Sequence, residues 1–419
     1  MSAVSAIPAR TPAVVAPAPI LAVIALMYTG ILLVQTARTM YLDANSLSDS
    51  QFDLVGYALL AALGVPLLYS AVQQRRLRVL PVIGVSIFLL LLVMNIRVYR
   101  PEQLFSVIAS RYGVMIWFLF GIGTCISLNA MRALLLHGRV HWFAPFATAA
   151  LYVFLLPVAY IVYNYLSGVV ETESYQQISS NAIILVCTAL LVIASVDIGQ
   201  LGTKVAAYLL LLLGTFLVYA IVLMQSTSIV AFWLAVFPLA ALRFAGGQGK
   251  FTKIVMFAAV IIAIYWLSVA LLMGDALKDT RFSMISNDIF ELSSLQTRLS
   301  LLSGFGDQFA VAPLFGAFDA ELQAGYFQGN YVHSIPLSLL THTGIVGFVL
   351  MLTIIIGIVR SGFARGEFST GLGHFALPLF AAILLLGSLF AFFTWMPFWY
   401  LLGIMCVRFD NEWRTGTAA

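Results

Sequence analysis

Ten apolar runs decide what this chain can become: residues 19–37, 54–71, 80–96, 112–131, 142–163, 182–196, 205–224, 254–273, 335–359 and 375–393. Most reach the ~17–25 residues an α-helix needs to cross a hydrocarbon core. Two shorter runs, 229–242 and 396–407, are bounded by charged or turn residues and bring the expected number of spans to twelve. With 62% hydrophobic residues, 9% charged residues and a mean hydropathy of +1.02, a water-soluble globule is excluded. The expected fold is all-α, a polytopic helical membrane protein.

Basic residues are retained on the cytoplasmic side of a membrane protein, so their distribution orients the spans. With the N-terminus inside, the cytoplasmic segments hold 14 of the 21 Lys/Arg and 4 of the 17 acids, a net +10; the external segments hold 7 and 13, a net −6. Both termini are then cytoplasmic. Residues 1–18, rich in Ala and Pro, read as a disordered cytoplasmic tail without a separate cleavable signal. Residues 19–408 form one transmembrane domain, and 409–419 a second cytoplasmic tail. The pI near 8.9 follows from this topology and implies no nucleic-acid partner. Cys125, Cys187 and Cys406 all fall inside apolar runs, which predicts buried thiols rather than a disulfide framework or metal site.

The exception to this apolar pattern is the stretch 274–334, 61 residues placed outside the membrane by the topology. Residues 287–292 and 294–309 read as helices, the second with Leu295, Leu299, Leu302, Phe305 and Phe309 at near-helical spacing and Gly304 and Gly306 able to bend it. Pro313-Leu314-Phe315-Gly316 reads as a turn. Gly325 to Asn330 leads up to His333, and Pro336 suits the first turn of the next helix, where its missing N–H costs nothing.

His333 precedes that helix start. The positive end of a helix dipole disfavours imidazolium and attracts anions, so a neutral imidazole beside a phosphate suits a general base there. The plainer alternative is an interfacial histidine satisfied by water. His342, nine residues on, falls on the opposite side of an ideal helix and reads as a packing or hydrogen-bonding residue. Arg298 and Arg281 have the planar donor fork that grips a diphosphate, although arginines at an interface also serve as snorkelling anchors. Arg97, Arg100 and Arg111 form a second external basic cluster, either anchors or attractors of an anionic substrate. The spans carry almost no mid-depth charge, which weighs against an ion-coupled transporter. No phosphate-cradling glycine motif, zinc spacing or nucleophile elbow is present.

Four short motifs occur in order: Ser294-Leu-Gln-Thr-Arg298-Leu, Pro313-Leu-Phe-Gly-Ala-Phe318, Tyr331-Val-His333-Ser and Thr343-Gly-Ile-Val-Gly-Phe348. Together they resemble the C-terminal signature of the O-antigen ligase/polymerase superfamily. The resemblance covers residues 294–359 in detail and the remainder by topology. It implies a C-type glycosyltransferase of the bacterial inner membrane, without cofactor or metal, that uses an undecaprenyl-diphosphate-linked glycan as donor. The external loop would then be periplasmic. His333 matches the family's proposed general base, and Arg298 matches the arginine thought to hold the diphosphate. Thr227-Ser228-Ile229 lacks the arginine many family members carry there, so either Arg281, Arg97 or Arg100 supplies the second clamp or the chain belongs to a branch with a different one. That departure favours a polymerase of O-antigen or exopolysaccharide repeats, with a glycan acceptor, over a ligase whose acceptor is lipid A-core. A chain-length regulator protein and membrane lipids are further partners in keeping with it. A lipid-linked-glycan flippase is the rival from another class, but neither a charged central cavity nor two related halves can be read. Asp275, Asp279, Asp288, Glu291, Asp307, Asp319 and Glu321 are scattered along the loop rather than spaced as metal ligands.

Overall fold

The computed structural model describes residues 23–25, 27–32, 34–36, 50–94, 116–130, 132, 180, 183–184, 187–188, 190–191, 302–316, 332, 334–368, 372–391 and 393–409. These residues are mostly helical, and among them the sole β-pairing is a single antiparallel bridge, Leu77 to Val407. In chain order the helices are α1 (Val23–Thr36), α2 (Ser50–Gln73), α3 (Val79–Met94), α4 (Ile116–Ala130), α5 (Phe305–Val311), α6 (Ile335–Ala364), α7 (Gly373–Phe390) and α8 (Met396–Met405). Two of them, over Val55–Gln73 and Ile335–Ala364, are long and apolar enough to cross a membrane.

The expected starts of α6 and α8 coincide with prolines. Pro336 and Pro397 both occupy the first turn, where a helix has no use for the missing donor. The helical turn ending α2 closes at Arg75, which takes a positive φ of 54°, and Arg76–Arg78 then lead into α3.

Packing centres on α8. Every residue from Pro397 to Met405 is buried, as expected for a helix apolar on all sides. At ~1.5 Å per residue, ten residues fall well short of a ~30 Å hydrocarbon core, so α8 is held by protein on all sides instead of spanning alone. α4 lies against it backbone to backbone. A Cβ on Gly121 would collide with the Tyr400 carbonyl, and one on Gly403 with the Phe118 carbonyl. Small residues give this close approach where water supplies no driving force between helices. Phe380 stacks on Phe398 from α7, with centroids 6.3 Å apart, and Phe88 meets Trp399 from α3 at 5.8 Å. α3 and α6 run antiparallel. Gly84 lets Ile354 in so closely that a Cβ there would meet Ile354 Cγ1 at 2.8 Å, and Phe88 reaches Gly347 further along.

The outward faces are apolar. Leu80, Ile83, Ile87 and Leu90 on α3 and Val349, Leu352, Ile356 and Phe363 on α6 are all exposed at helical spacing. A water-facing helix carries polar residues there, whereas lipid accepts these side chains. Cys125, Cys187 and Cys406 are buried free thiols, as the sequence predicts.

The helix expected over 287–292 and residues 294–301 of the one expected over 294–309 lie outside the described residues; the rest of the second is described. The chain is helical at Leu302 and Ser303, turns at Gly304 and continues as α5 to Val311. Gly304 keeps right-handed backbone angles, φ −82° and ψ 0°, and its carbonyl accepts the Gln308 N–H at 3.2 Å, so it serves as the N-cap of α5.

Candidate functional site

The first ten residues of α6 are unusually polar for their burial. Ser338, Thr341, His342 and Thr343 are 0 to 4% exposed. Ser338 Oγ donates to the Ile335 carbonyl at 3.0 Å and accepts the Phe393 N–H at 2.9 Å, which ties the start of α6 to the segment linking α7 and α8. Thr343 Oγ1 donates to the Leu339 carbonyl at 2.7 Å. His342 Nδ1 lies 2.8 Å from the Ser338 carbonyl and 3.0 Å from Thr341 Oγ1. A carbonyl only accepts, so Nδ1 carries the proton, and Nε2 holds the lone pair in the neutral ring. The Phe393 ring packs at 5.1 Å from the imidazole. His342 thus has the packing and hydrogen-bonding role its helical position suggests.

Directly after this polar turn, α6 breaks. Gly344 takes φ 64° and ψ −171°, outside any helical region and open in practice to glycine alone. The break exposes the first amides of a new helical segment, and a bilayer offers no water to satisfy them. The Pro313–Gly316 turn supplies the missing acceptors. Ile345 N–H donates to the Pro313 carbonyl at 2.9 Å, and Val346 N–H to the Leu314 carbonyl at 3.1 Å. The approach is close from both sides: a Cβ on Gly344 would strike the Leu314 carbonyl, and one on Gly316, itself at φ 77°, would strike the His342 carbonyl. Two motifs that lie far apart in the sequence, Pro-Leu-Phe-Gly and Thr-Gly, are therefore halves of one joint.

The loop side of the joint carries α5, whose Phe305 and Phe309 rings stack 5.8 Å apart. Gln308, between them, is 2% exposed, and its Nε2 makes no hydrogen bond. Asp307 is exposed on the same short helix. Among the described residues no group of three or more His, Cys, Asp or Glu converges as a metal site.

His333, Arg298, Arg281, Arg97 and Arg100 lie outside the described residues, as does Arg111. The immediate neighbours of His333 are described. Val332 and Ser334 are both buried, the Ser334 N–H donates to the Val332 carbonyl at 2.8 Å, and Ser334 is the N-cap of α6. Ser334, Ser338 and the break at Gly344 thus follow one another along the first turns of α6.

Sequence reasoning did not single out Gln308, the Ser338–Phe393 tie or the break in α6. Gly344 inside a long apolar run, preceded by Thr-His-Thr, was the one signal for the break. At the opposite end of the bundle it also missed a buried ion pair, Arg78 with Glu367.

No protein-family model matches the chain, and no curated protein or solved structure matches it either.

Proposed function

We propose that this chain is a multi-pass inner-membrane glycosyltransferase of the O-antigen polymerase kind, with about twelve spans and residues 274–334 on the periplasmic side. It joins polyprenyl-diphosphate-linked repeat units. The acceptor hydroxyl oxygen attacks the anomeric carbon of the donor glycan while the bond from that carbon to the diphosphate oxygen breaks. Polyprenyl diphosphate leaves, and the hydroxyl proton passes to His333. Attack opposite the leaving group inverts the anomeric configuration. Arg298 holds the diphosphate as negative charge builds on it, and Arg281, Arg97 or Arg100 supplies a second cation.

The observation that carries this reading is the joint between the Pro313–Gly316 turn and the break at Gly344. Two of the four motifs behind the resemblance meet there through backbone contacts that need glycine on each side. A third motif, around Ser334, opens the same helix. Broken helices in membrane proteins recur where polar substrates are handled at membrane depth. The outward apolar faces of α3 and α6 support the membrane setting.

The test is the surface glycan of a deletion strain complemented with His333→Ala. Loss of a general base costs about 10²–10⁴-fold in rate, so long chains should vanish while the variant inserts at the wild-type level. Near-normal polymer from equal expression refutes the catalytic role. In the deletion strain itself, single repeats on the core mean a polymerase, long polymer left on the carrier a ligase, and repeats trapped on the inner leaflet a flippase.

A further inference from the structure

The outer surface of the joint is apolar where a water-facing turn would be polar. Leu314 and Phe315, within the turn, are 59% and 54% exposed, and Val311 just before it is exposed as well. The two α6 amides that the turn carbonyls accept belong to Ile345 and Val346, whose side chains are also exposed. From Ile345 the exposed residues continue along α6 at Val349, Leu352, Ile356 and Phe363, at the three-, four- and seven-residue steps that keep to one face of a helix. The turn therefore prolongs the face of α6 that lipid accepts.

The depth of the turn follows from α3, which packs antiparallel on α6. Phe88 stands level with Gly347, 3.4 Å from where a Cβ there would be. From that level the break at Gly344 lies about 4–5 Å further along, whereas α3 continues in the same direction for about 9 Å, to Met94, at ~1.5 Å per residue. The first charged residue after α3 is Arg97. The turn thus meets α6 at a level where the neighbouring helix has not yet left the apolar layer. Its backbone suits that place, because irregular chain is tolerated in hydrocarbon only when its polar groups are paired within the protein. Pro313 has no N–H to satisfy. The Pro313 and Leu314 carbonyls accept α6 amides, and the Gly316 N–H donates to the Ala312 carbonyl at 2.8 Å.

We infer that Pro313–Gly316 is a re-entrant element: the outer loop dips into the bilayer at this turn and sets Leu314 and Phe315 among phospholipid acyl chains. Continuity with the exposed stripe of α6 makes lipid the occupant of this surface, since one unbroken apolar face borders one solvent. The joint at Gly344 then lies below the membrane surface and is closed to water from the lipid side. This rests on the membrane setting of α6 and uses none of the residues assigned to glycosyl transfer.

The experiment reads the solvent at the turn directly. Full-length protein carrying Leu314→Cys or Phe315→Cys is spin-labelled and reconstituted in vesicles of phosphatidylethanolamine and phosphatidylglycerol. Relaxation of the nitroxide by oxygen, which concentrates among acyl chains, is compared with relaxation by a water-soluble nickel chelate. Cys125, Cys187 and Cys406 are buried, so the label goes to the introduced thiol, and the unsubstituted protein measures any remainder. Val349→Cys on the exposed stripe of α6 and Asp307→Cys, exposed on α5, are the two references. Both turn labels should give an oxygen-to-nickel ratio several-fold above that at Asp307 and close to that at Val349. A ratio like that at Asp307, with Val349 reading lipid, makes the turn an aqueous cover and overturns the inference. Low collision rates with both reagents mean that protein covers the turn, with dipolar broadening between labels marking a second copy, and overturn it too. If Val349→Cys also reads water, the membrane setting of α6 fails, and the glycosyltransferase reading falls together with the re-entrant turn. Near-normal polymer from His333→Ala, by contrast, refutes that catalytic role and leaves the depth of the turn untouched.

Discussion

Replacing Gly344 by alanine tests whether the break in α6 is held by the loop or is an incidental bend. The residue sits at φ 64° and ψ −171°, where a side chain costs about 1–3 kcal/mol. Its Cβ would also collide with the Leu314 carbonyl, so the Pro313–Gly316 turn has to move away. Movement lengthens the Ile345-to-Pro313 and Val346-to-Leu314 bonds, now 2.9 and 3.1 Å, each worth about 1 kcal/mol net and more if the amide is left without any acceptor. The sum is about 3–6 kcal/mol, a large part of the ~5–15 kcal/mol that holds a typical domain together. Gly357 provides the control. It lies in the same helix with nothing within 4 Å of where its Cβ would be, so alanine there should be neutral or stabilise by up to about 1 kcal/mol. The assay is the midpoint of heat-induced loss of the monodisperse peak for each variant as a fluorescent fusion in detergent. Gly344→Ala should fall well below wild type while Gly357→Ala does not. Gly316→Ala should fall too, and the double variant should fall by less than the sum, because one broken joint cannot be broken twice. Equal midpoints for Gly344→Ala and Gly357→Ala would refute the reasoning.

Arg298→Lys should transfer glycan nearly as poorly as Arg298→Ala, since a lysine keeps the charge but not the two-pronged grip on a diphosphate; two variants both near wild type in a polymer assay would make Arg298 an interfacial anchor. If arginine charge neutralises the leaving group as proposed, without a ligand cage, purified protein should transfer glycan undiminished in EDTA. Activity lost to chelator and restored by magnesium or manganese would put Asp275, Asp279 or Asp307 in the site.

The helices were legible where an apolar run ends against a charge or a proline. The run at 80–96 corresponds to Val79–Met94 with Arg78 at its head, and the run at 396–407 to Met396–Met405 with Pro397 in its first turn. The break in α6 was not legible in the same way. Hydropathy averages over Gly344, glycine is ordinary in membrane helices, and the residues that complete the break sit in another segment. The same limit applies to Arg78 and Glu367. A charge count treats loop residues as solvated, whereas the bridge from Leu77 to Val407 draws the α2–α3 loop into the bundle, where Arg78 and its partner Glu367 from the α6–α7 connection are both buried. For the candidate site, the sequence picked out the Pro313–Gly316 turn, Pro336 at the helix start and the supporting role of His342. Those are features of local backbone chemistry, which a short motif carries by itself. Contacts such as Phe393 on Ser338 depend on which helices become neighbours, and no spacing within α6 encodes that.

The joint also changes how loop variants have to be read. Because the Pro313 and Leu314 carbonyls cap amides inside α6, the Pro313–Gly316 turn is part of the wall of the helical bundle and not a cover laid over it. A substitution in the turn that displaces those carbonyls shifts the first turns of α6, and with them Ser334 beside His333, without removing any group that performs chemistry. Activity loss alone therefore cannot separate a catalytic residue from one that holds the joint. The two classes part on stability: a joint residue loses activity and unfolding midpoint together, as Gly316→Ala should. A residue that only touches substrate loses activity at an unchanged midpoint, as His333→Ala and Arg298→Ala should. Gln308 is the informative intermediate. Its buried Nε2 has no hydrogen bond to lose, so a Gln308→Leu variant that keeps or raises the midpoint yet loses transfer would place that amide against the substrate.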